Sequence, residues 1–372
     1  MRKKIQKIHK KDNVKKNSFA FLVHPRDLND FFIKFPLLKI LPKSIVEFVT
    51  KNMPPVVVSR VTGLKSKTGE PIEGHVVAIT MTAQQMIEDR DLALKKIKRA
   101  AKWLEKRGVG IVGFGALTSS FSKGGLSILD EVDDMGITTG RAYTAKTVTD
   151  YAKKCIHEFD FKIDDVRIAV VGAAGSVGST SAKILAKFGV RNFLFIDIER
   201  KKENLKQLHN HLIAKYPGIS IHVSQKISDI KNSDIVIAAT NSPEVIIKSN
   251  DVSPGTIIIN DAQPSDVSEE VLDMEDVLVI EGGVINTPGI KCNFNLGLAG
   301  REDTFCCLGE VLILAHCGKF ENFALGNLDL NLVNKITKMA TSIDIGLSQF
   351  QNSGSYIDKD KIKNVRNAII RK

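Results

Sequence analysis

Long hydrophobic runs are missing from this sequence. None approaches the ~18 apolar residues that a helix needs to cross a bilayer, and no apolar core follows the basic N-terminus as a secretory signal requires. Cysteine is sparse: Cys155, Cys292, Cys306, Cys307 and Cys317 are too few in 372 residues for a disulfide framework. No Cys-x-x-Cys pair occurs and no Cys/His grouping has zinc-ligand spacing, so no structural metal is expected. His209 and His211 stand two apart on a helical pattern and point to different faces. Neither an internal repeat nor a low-complexity linker is found. Free thiols and the missing signals lead to an expected cytoplasmic location.

What is present is positive charge, unevenly placed. The formal net charge is +11, with residues 1–16 contributing +7 and residues 359–372 contributing +5, which leaves −1 for residues 17–358. The basic total therefore belongs to two ends, and no nucleic-acid-reading motif accompanies it; nucleic acid is not an expected partner. Basic ends do suit weak contact with an anionic membrane surface. Within the body, residues 95–107 hold seven Lys/Arg against one Glu, a net of +6. Lys95, Lys96, Lys98, Arg99 and Lys102, followed by Lys106 and Arg107, read as one basic helix face. Solubility is the plain explanation of such a face; steering of an acidic partner is the functional one.

The chain length favours two domains, and a hydrophobic fraction of 43% supplies a sizeable core. The expected order is a basic tail (1–17), an N-terminal α/β substrate domain (18–163) and a Rossmann-like dinucleotide-binding domain (164–290). C-terminal helices (291–350) then close the cleft, and a second basic tail (351–372) follows. Val56–Val61 and Gly74–Met81 read as strands, and 83–107 as a single helix with an apolar stripe through Met86, Ile97, Ala100 and Leu104. From residue 165, apolar runs at 167–172, 192–197, 219–223, 234–240, 256–260 and 277–281 alternate with helical segments. That alternation predicts the α/β class, with a doubly wound parallel sheet. Helices are expected over 304–315 and 330–349.

Between the first two of these runs lies Gly172-Ala-Ala-Gly175-Ser-Val-Gly178. The glycines permit a tight turn, close approach of a pyrophosphate and close packing of helix on sheet, while free N–H groups at the helix start face the phosphates. Gly172, Ala174, Gly175, Ser176, Val177 and Gly178 are thus candidate cofactor residues. Asp197, ending the next strand, suits the ribose hydroxyls of NADH. Arg200, Lys201 and Lys202 suit the 2′-phosphate of NADPH. Thr240 and Asn241 end the fourth strand, where ligands of such sheets bind. Asp261–Gln263 and Gly282-Gly283 extend the rim.

Cys306 and Cys307 lie near the start of the 304–315 helix, where a thiol pKa is lowered and backbone donors are available. Glu302 and Asp303, expected in the first turn with Thr304 as cap, oppose ionisation.

The glycine turn together with Phe305-Cys-Cys-Leu-Gly-Glu310 resembles the cyanobacterial, aldehyde-forming long-chain acyl-(acyl carrier protein) reductases. Val61-Thr-Gly, Ile72-Glu-Gly74, Gly115-Ala-Leu-Thr-Ser-Ser120, Thr138-Thr-Gly140 and Gly282-Gly-Val284 share the resemblance, which covers roughly residues 56–315. It implies a Rossmann enzyme that takes NADPH and forms a covalent acyl-cysteine on Cys307. Cys306 in the pattern's variable position and Gly309 where Ala is usual depart from it. Ser119, Ser120, Thr138 and Thr139 are then candidate donors to an oxyanion, and His24 and Tyr143 candidate proton donors. Acyl carrier proteins are acidic, so the basic helix face fits docking of a carrier, with acyl-CoA as the other thioester source. A dehydrogenase of small hydroxy or keto acids, built like the shikimate dehydrogenases, and a non-catalytic nucleotide-binding regulator remain open.

Overall fold

The computed structural model describes residues 17–242, 244–294 and 296–371. The first basic tail lies outside them, except for Asn17. Two six-stranded sheets form the body. The first holds β1 (Ser18–Val23), β2 (Val56–Thr62), β3 (Glu73–Ala78), β4 (Ile111–Phe114) and β5 (Gly136–Thr138). The second holds β6 (Arg167–Val171), β7 (Asn192–Ile196), β8 (Ser220–Ser224), β9 (Ile235–Ala238), β10 (Ile257–Asn260) and β11 (Leu278–Glu281). After β12 (Val284–Asn286), the chain returns to the first sheet as β13 (Lys291–Cys292), antiparallel to β2, before β14 (Asp303–Phe305). Residues assigned to the C-terminal helical segment thus complete the N-terminal sheet.

The second sheet is parallel throughout, in the order β11-β10-β9-β6-β7-β8. Order reverses between β6 and β9, the place where doubly wound sheets bind ligands. Every residue of β9 and β10 is buried, as in a sheet covered on both faces. The first sheet runs β13-β2-β3-β1-β4-β5. Period-two alternation divides β1: Phe19 and Phe21 join the core beneath the Cys306–His316 helix, while Ala20 and Leu22 join the core beneath Arg90–Glu105. Each such phenylalanine contributes about 1.5–3 kcal/mol by leaving water.

Four expectations are corrected. The single helix over 83–107 is two, Ala83–Glu88 and Arg90–Glu105, because Asp89 leaves helical geometry and caps the second through the Leu92 N–H at 3.1 Å. The basic segment 351–372 is not a free tail: Lys359–Ile370 is a helix whose Val365 is fully buried in the dinucleotide-domain core, and Arg366 donates to the Glu158 carbonyl at 2.6 Å. Lys96 does not belong to the exposed basic face. It is buried, with its ammonium donating to the Lys51 carbonyl at 2.6 Å and Thr80 Oγ1 at 2.8 Å, and burial holds its pKa down to about 8. Finally, the helix over 330–349 stops at Ala340, and Gly346–Leu347 (β15) pairs with β12.

Candidate active site

The cofactor side is built from backbone. β6 ends at Val171, and Gly172 turns the chain with φ +82°; a Cβ there would stand 2.5 Å from the Ala239 carbonyl oxygen. A Cβ at Gly178 would stand 2.4 Å from the Gly172 carbonyl, so only glycine lets helix Ser176–Phe188 lie this close to the turn. No side chain caps that helix, and Ser176 Oγ is buried without a partner among the described residues. Bare N–H groups, an orphaned hydroxyl and a cradle that any Cβ would fill fit a pyrophosphate. Ala174 N–H and Ile198 N–H each donate to the Asp197 carboxylate at 2.9 Å, which holds it beside the turn. Val177 packs against the core behind the turn. Arg200 is exposed in the following turn, where Lys202 pairs with Glu199 at 3.2 Å. Across the switch point Thr240 donates to Asp266 at 2.6 Å, and Asn241 is exposed on the rim.

The reaction side is built where two helices begin against each other. Glu302 and Asp303 do not enter the first turn, because Asp303–Phe305 is β14 and the helix starts at Cys306. The expected carboxylate opposition at that helix end is therefore absent. A Cβ on Gly140 (φ +76°), the residue before helix Arg141–Glu158, would stand 2.3 Å from Cys307 Cβ. Glu310, one turn into the second helix, reaches back to the first. Its buried carboxylate accepts from Gly140 N–H at 3.1 Å, Tyr143 N–H at 2.8 Å and the Thr138 hydroxyl. Burial pushes Glu310 up to about 7 against these hydrogen bonds. The glutamate is thus a cap that locks the two helix starts together.

The two cysteines differ. Cys306 is 2% exposed, with its sulfur 3.1 Å from Thr144 Oγ1. That hydroxyl donates its single hydrogen to the Gly140 carbonyl at 2.9 Å, so the Cys306 thiol must donate to it and keeps its proton. Cys307 is half-buried. Burial and then the Asp261 charge push its thiol up to about 12, whereas the N–H groups of Leu308 and of Cys307 itself act in the opposite sense.

Among the candidate donors, Thr138 is engaged by Glu310 and Thr139 donates to the Ala324 carbonyl at 2.8 Å, so neither hydroxyl is free for an oxyanion. Ser119 Oγ is buried without a partner among the described residues, and Ser120 is half-buried; both lie on helix Leu117–Phe121 after β4. Ala116, just before it, takes φ 48° and ψ −134°, a strained geometry for a residue with a Cβ. His24 accepts from Leu117 N–H at 3.4 Å through Nε2, and its Nδ1–H donates to the Pro25 carbonyl at 2.9 Å. Burial lowers its pKa, so this neutral ring holds the strained turn and is a poor proton donor. Burial likewise raises Tyr143, whose ring packs against Gly309.

Asp261 was legible only as part of a rim. A Cβ on Gly283 would stand 2.6 Å from its Oδ1 and 3.5 Å from Cys306 Sγ, so this carboxyl and the Cys306 thiol flank one glycine. Burial, then the neighbouring Asp266, push Asp261 up to about 8. Its place at the end of β10 was the available signal; nothing local links it to the distant cysteines. The loops after β10 and β11 thus bring a carboxyl that carries a proton near neutrality to the start of the helix that holds both thiols, where Cys306 N–H donates to the Gly283 carbonyl at 2.8 Å.

Strand order and glycine turn define a Rossmann-like dinucleotide-binding α/β protein. Residues 151–281 match the shikimate/quinate 5-dehydrogenase family. The chain is 24% identical over 307 residues to the aminotransferase PigE of Serratia sp., covering 82% of this chain and 36% of that protein. Over 295 residues it is 23% identical to the long-chain acyl-[acyl-carrier-protein] reductase of Synechococcus elongatus, covering 76% of this chain and 83% of that one. Glutamyl-tRNA reductase of Methanopyrus kandleri is 32% identical over 126 residues, 32% of this chain and 30% of that one. The chain therefore spans about a third of two of these relatives and most of the third. A solved NAD-dependent malic enzyme of Thermotoga maritima overlays 95% of this chain and 84% of that one at 15% identity and a TM-score of 0.43, too low to carry an argument. The similarities support an oxidoreductase with a nicotinamide-dinucleotide domain.

Proposed function

We propose that this chain reduces fatty acyl thioesters, carried by acyl carrier protein or coenzyme A, to aldehydes through an acyl-Cys307 intermediate. The observation that carries this reading is Cys307 itself: a half-buried thiol at a helix start, within reach of the Asp261 charge. Similarity to the Synechococcus reductase over most of both chains supports it.

In this reading the ionised form of Asp261, which gains population as pH approaches about 8, takes the Cys307 proton. The thiolate attacks the thioester carbonyl, a C–S bond to Cys307 forms, and the C–S bond to the carrier breaks. Asp261 returns the proton to the leaving carrier thiolate. Exchange between two thioesters needs little driving force. Reduced nicotinamide, when bound, supplies the hydride. Ser119 Oγ, with Ser120 beside it, donates to the oxyanion of the resulting Cys307 thiohemiacetal. Collapse breaks the Cys307–carbon bond, releases the aldehyde and restores the thiolate. Gly172 to Gly178 and Ser176 hold the pyrophosphate, with Thr240 and Asn241 at the switch point. Asp197 favours NADH and Arg200 favours NADPH; the family resemblance implies NADPH. An acidic carrier docks on Lys95, Arg99 and Lys102, exposed cations of the basic helix. Lys98 (2.9 Å) and Lys102 already pair with Glu131.

Intact mass after treatment with acyl-CoA tests the reading. Wild type and Cys306→Ala gain one acyl group, and Cys307→Ala does not. Full reductase activity in Cys307→Ala overturns the covalent route. It would favour the small-substrate dehydrogenase that the 151–281 match suggests, which needs no cysteine.

A further inference from the structure

Residues 36–48 carry the largest run of exposed apolar side chains among the described residues. Leu37 is 79% exposed, Ile40 81%, Leu41 39%, Ile45 46% and Phe48 71%. A monomer rarely leaves so much contiguous apolar surface in water without a use for it. The segment is not loosely attached. It comprises a 3₁₀ turn, Pro36–Ile40, and helix Lys43–Asn52. One face of that helix is anchored, with Val46 and Thr50 fully buried. The Lys51 carbonyl accepts from the buried Lys96 at 2.6 Å, and the Met53 carbonyl accepts from Thr80 at 2.7 Å. Ile45 and Phe48, three apart, fall on one face of that helix, away from the anchored Val46 and Thr50. The apolar side chains are therefore held outward by a docked element.

The charge within the patch is net positive. Lys39 and Lys43 are exposed within the patch, and Glu47 is its single acid. Glu47 pairs weakly with Lys43 at 3.8 Å, and Lys39 has no ion pair among the described residues. Apolar side chains interleaved with lysines on a rigid helical element fit the boundary of an anionic bilayer, where the apolar face enters the acyl region and the ammonium groups meet lipid phosphates.

We propose that residues 36–48 are a membrane-surface anchor that binds anionic lipid. The charged chain ends are not its main determinant. This proposal stands whether or not the reaction is the one given above. Its test is co-sedimentation of the full chain with phosphatidylcholine vesicles and with phosphatidylcholine–phosphatidylglycerol vesicles. Sedimentation velocity without lipid accompanies it. Wild type should partition onto the anionic vesicles. Ile40→Ser with Phe48→Ser should weaken partitioning about tenfold or more, since it removes the most exposed apolar contact and keeps every charge. Lys39→Glu with Lys43→Glu should weaken it less and flatten its salt dependence. Thermal melts of each variant matching wild type show that the fold is kept, as expected for substitutions at exposed positions. Unchanged binding by Ile40→Ser/Phe48→Ser overturns the proposal, because adsorption would then come from the basic ends. Failure of wild type to bind, together with a dimer that this variant dissociates, also overturns it and makes the patch an interface between copies of the chain.

Discussion

The two six-stranded sheets contribute differently to the candidate site. The second sheet offers backbone: a glycine turn, bare N–H groups and a carboxylate fixed by two N–H bonds. The first offers side chains from scattered segments: Cys307 against Gly140, Glu310 capping the neighbouring helix and Ser119 behind the strained Ala116. A phosphate cradle needs repeating donors, which a short glycine motif supplies by itself. Thiol chemistry needs a nucleophile, a proton carrier and an oxyanion donor, and no short stretch of chain delivers all three.

The comparison breaks first at Cys307. Cys307→Ala should lower turnover by about 10³-fold or more in a nicotinamide-oxidation assay, while Cys306→Ala, whose thiol is bound to Thr144, keeps most activity. On the other side of the cleft Gly178→Val should weaken nucleotide binding by about 10²-fold in calorimetry, because its Cβ meets the Gly172 carbonyl. If Cys307→Ala still binds nucleotide and Gly178→Val is still acylated, the two sides act as separable halves.

Asp261→Asn joins the halves, since the residue lies on the second sheet and acts on the thiols. Turnover should fall about 10²-fold, whereas alkylation of Cys307 at pH 8, followed by peptide mapping, should accelerate as the neighbouring negative charge is removed. Stability gives a second readout. A carboxyl raised to about 8 in the folded state disfavours folding once it is ionised in the unfolded chain. Wild type therefore loses stability relative to Asp261→Asn as pH rises from about 4 to about 8. Melting curves should show the gap widening over that window and levelling above it. A constant gap would mean that Asp261 titrates normally.

Asp197→Ala should shift the NADPH-to-NADH preference about tenfold toward NADPH, read as a ratio of kcat/KM values. The smallest effect belongs to the basic helix. Lys95→Glu with Arg99→Glu should raise KM about three- to tenfold for an acyl carrier substrate and leave that for acyl-CoA unchanged. Equal changes for both would remove the docking role.

Hydrophobic periodicity and the glycine motif made the parallel sheet and its nucleotide turn readable, because both depend on contacts close along the chain. β6 to β11 fall within a residue or two of the apolar runs. The misreadings share one cause. Lys96 looked like its neighbours by charge, and only the packing of Lys51 and Thr80 made it a buried donor. Glu302 and Asp303 looked helical until pairing with Val284–Asn286 drew Asp303–Phe305 into a strand. Lys359–Ile370 looked like a charged tail although Val365, spaced from Ile362 and Ile369, was its buried stripe.

By itself, then, the sequence determined the α/β class and the dinucleotide turn, since each is written in local spacing; the cysteine pair became a reactive candidate through the family resemblance of its motif. Tertiary structure decided which cysteine is the less buried, that Glu310 is a cap, that Asp261 comes near the start of the cysteine helix and that residues 36–48 carry exposed apolar side chains. Those outcomes depend on burial and on contacts between segments far apart in the chain. Desolvation and charge proximity are properties of the folded neighbourhood and have no counterpart in residue spacing.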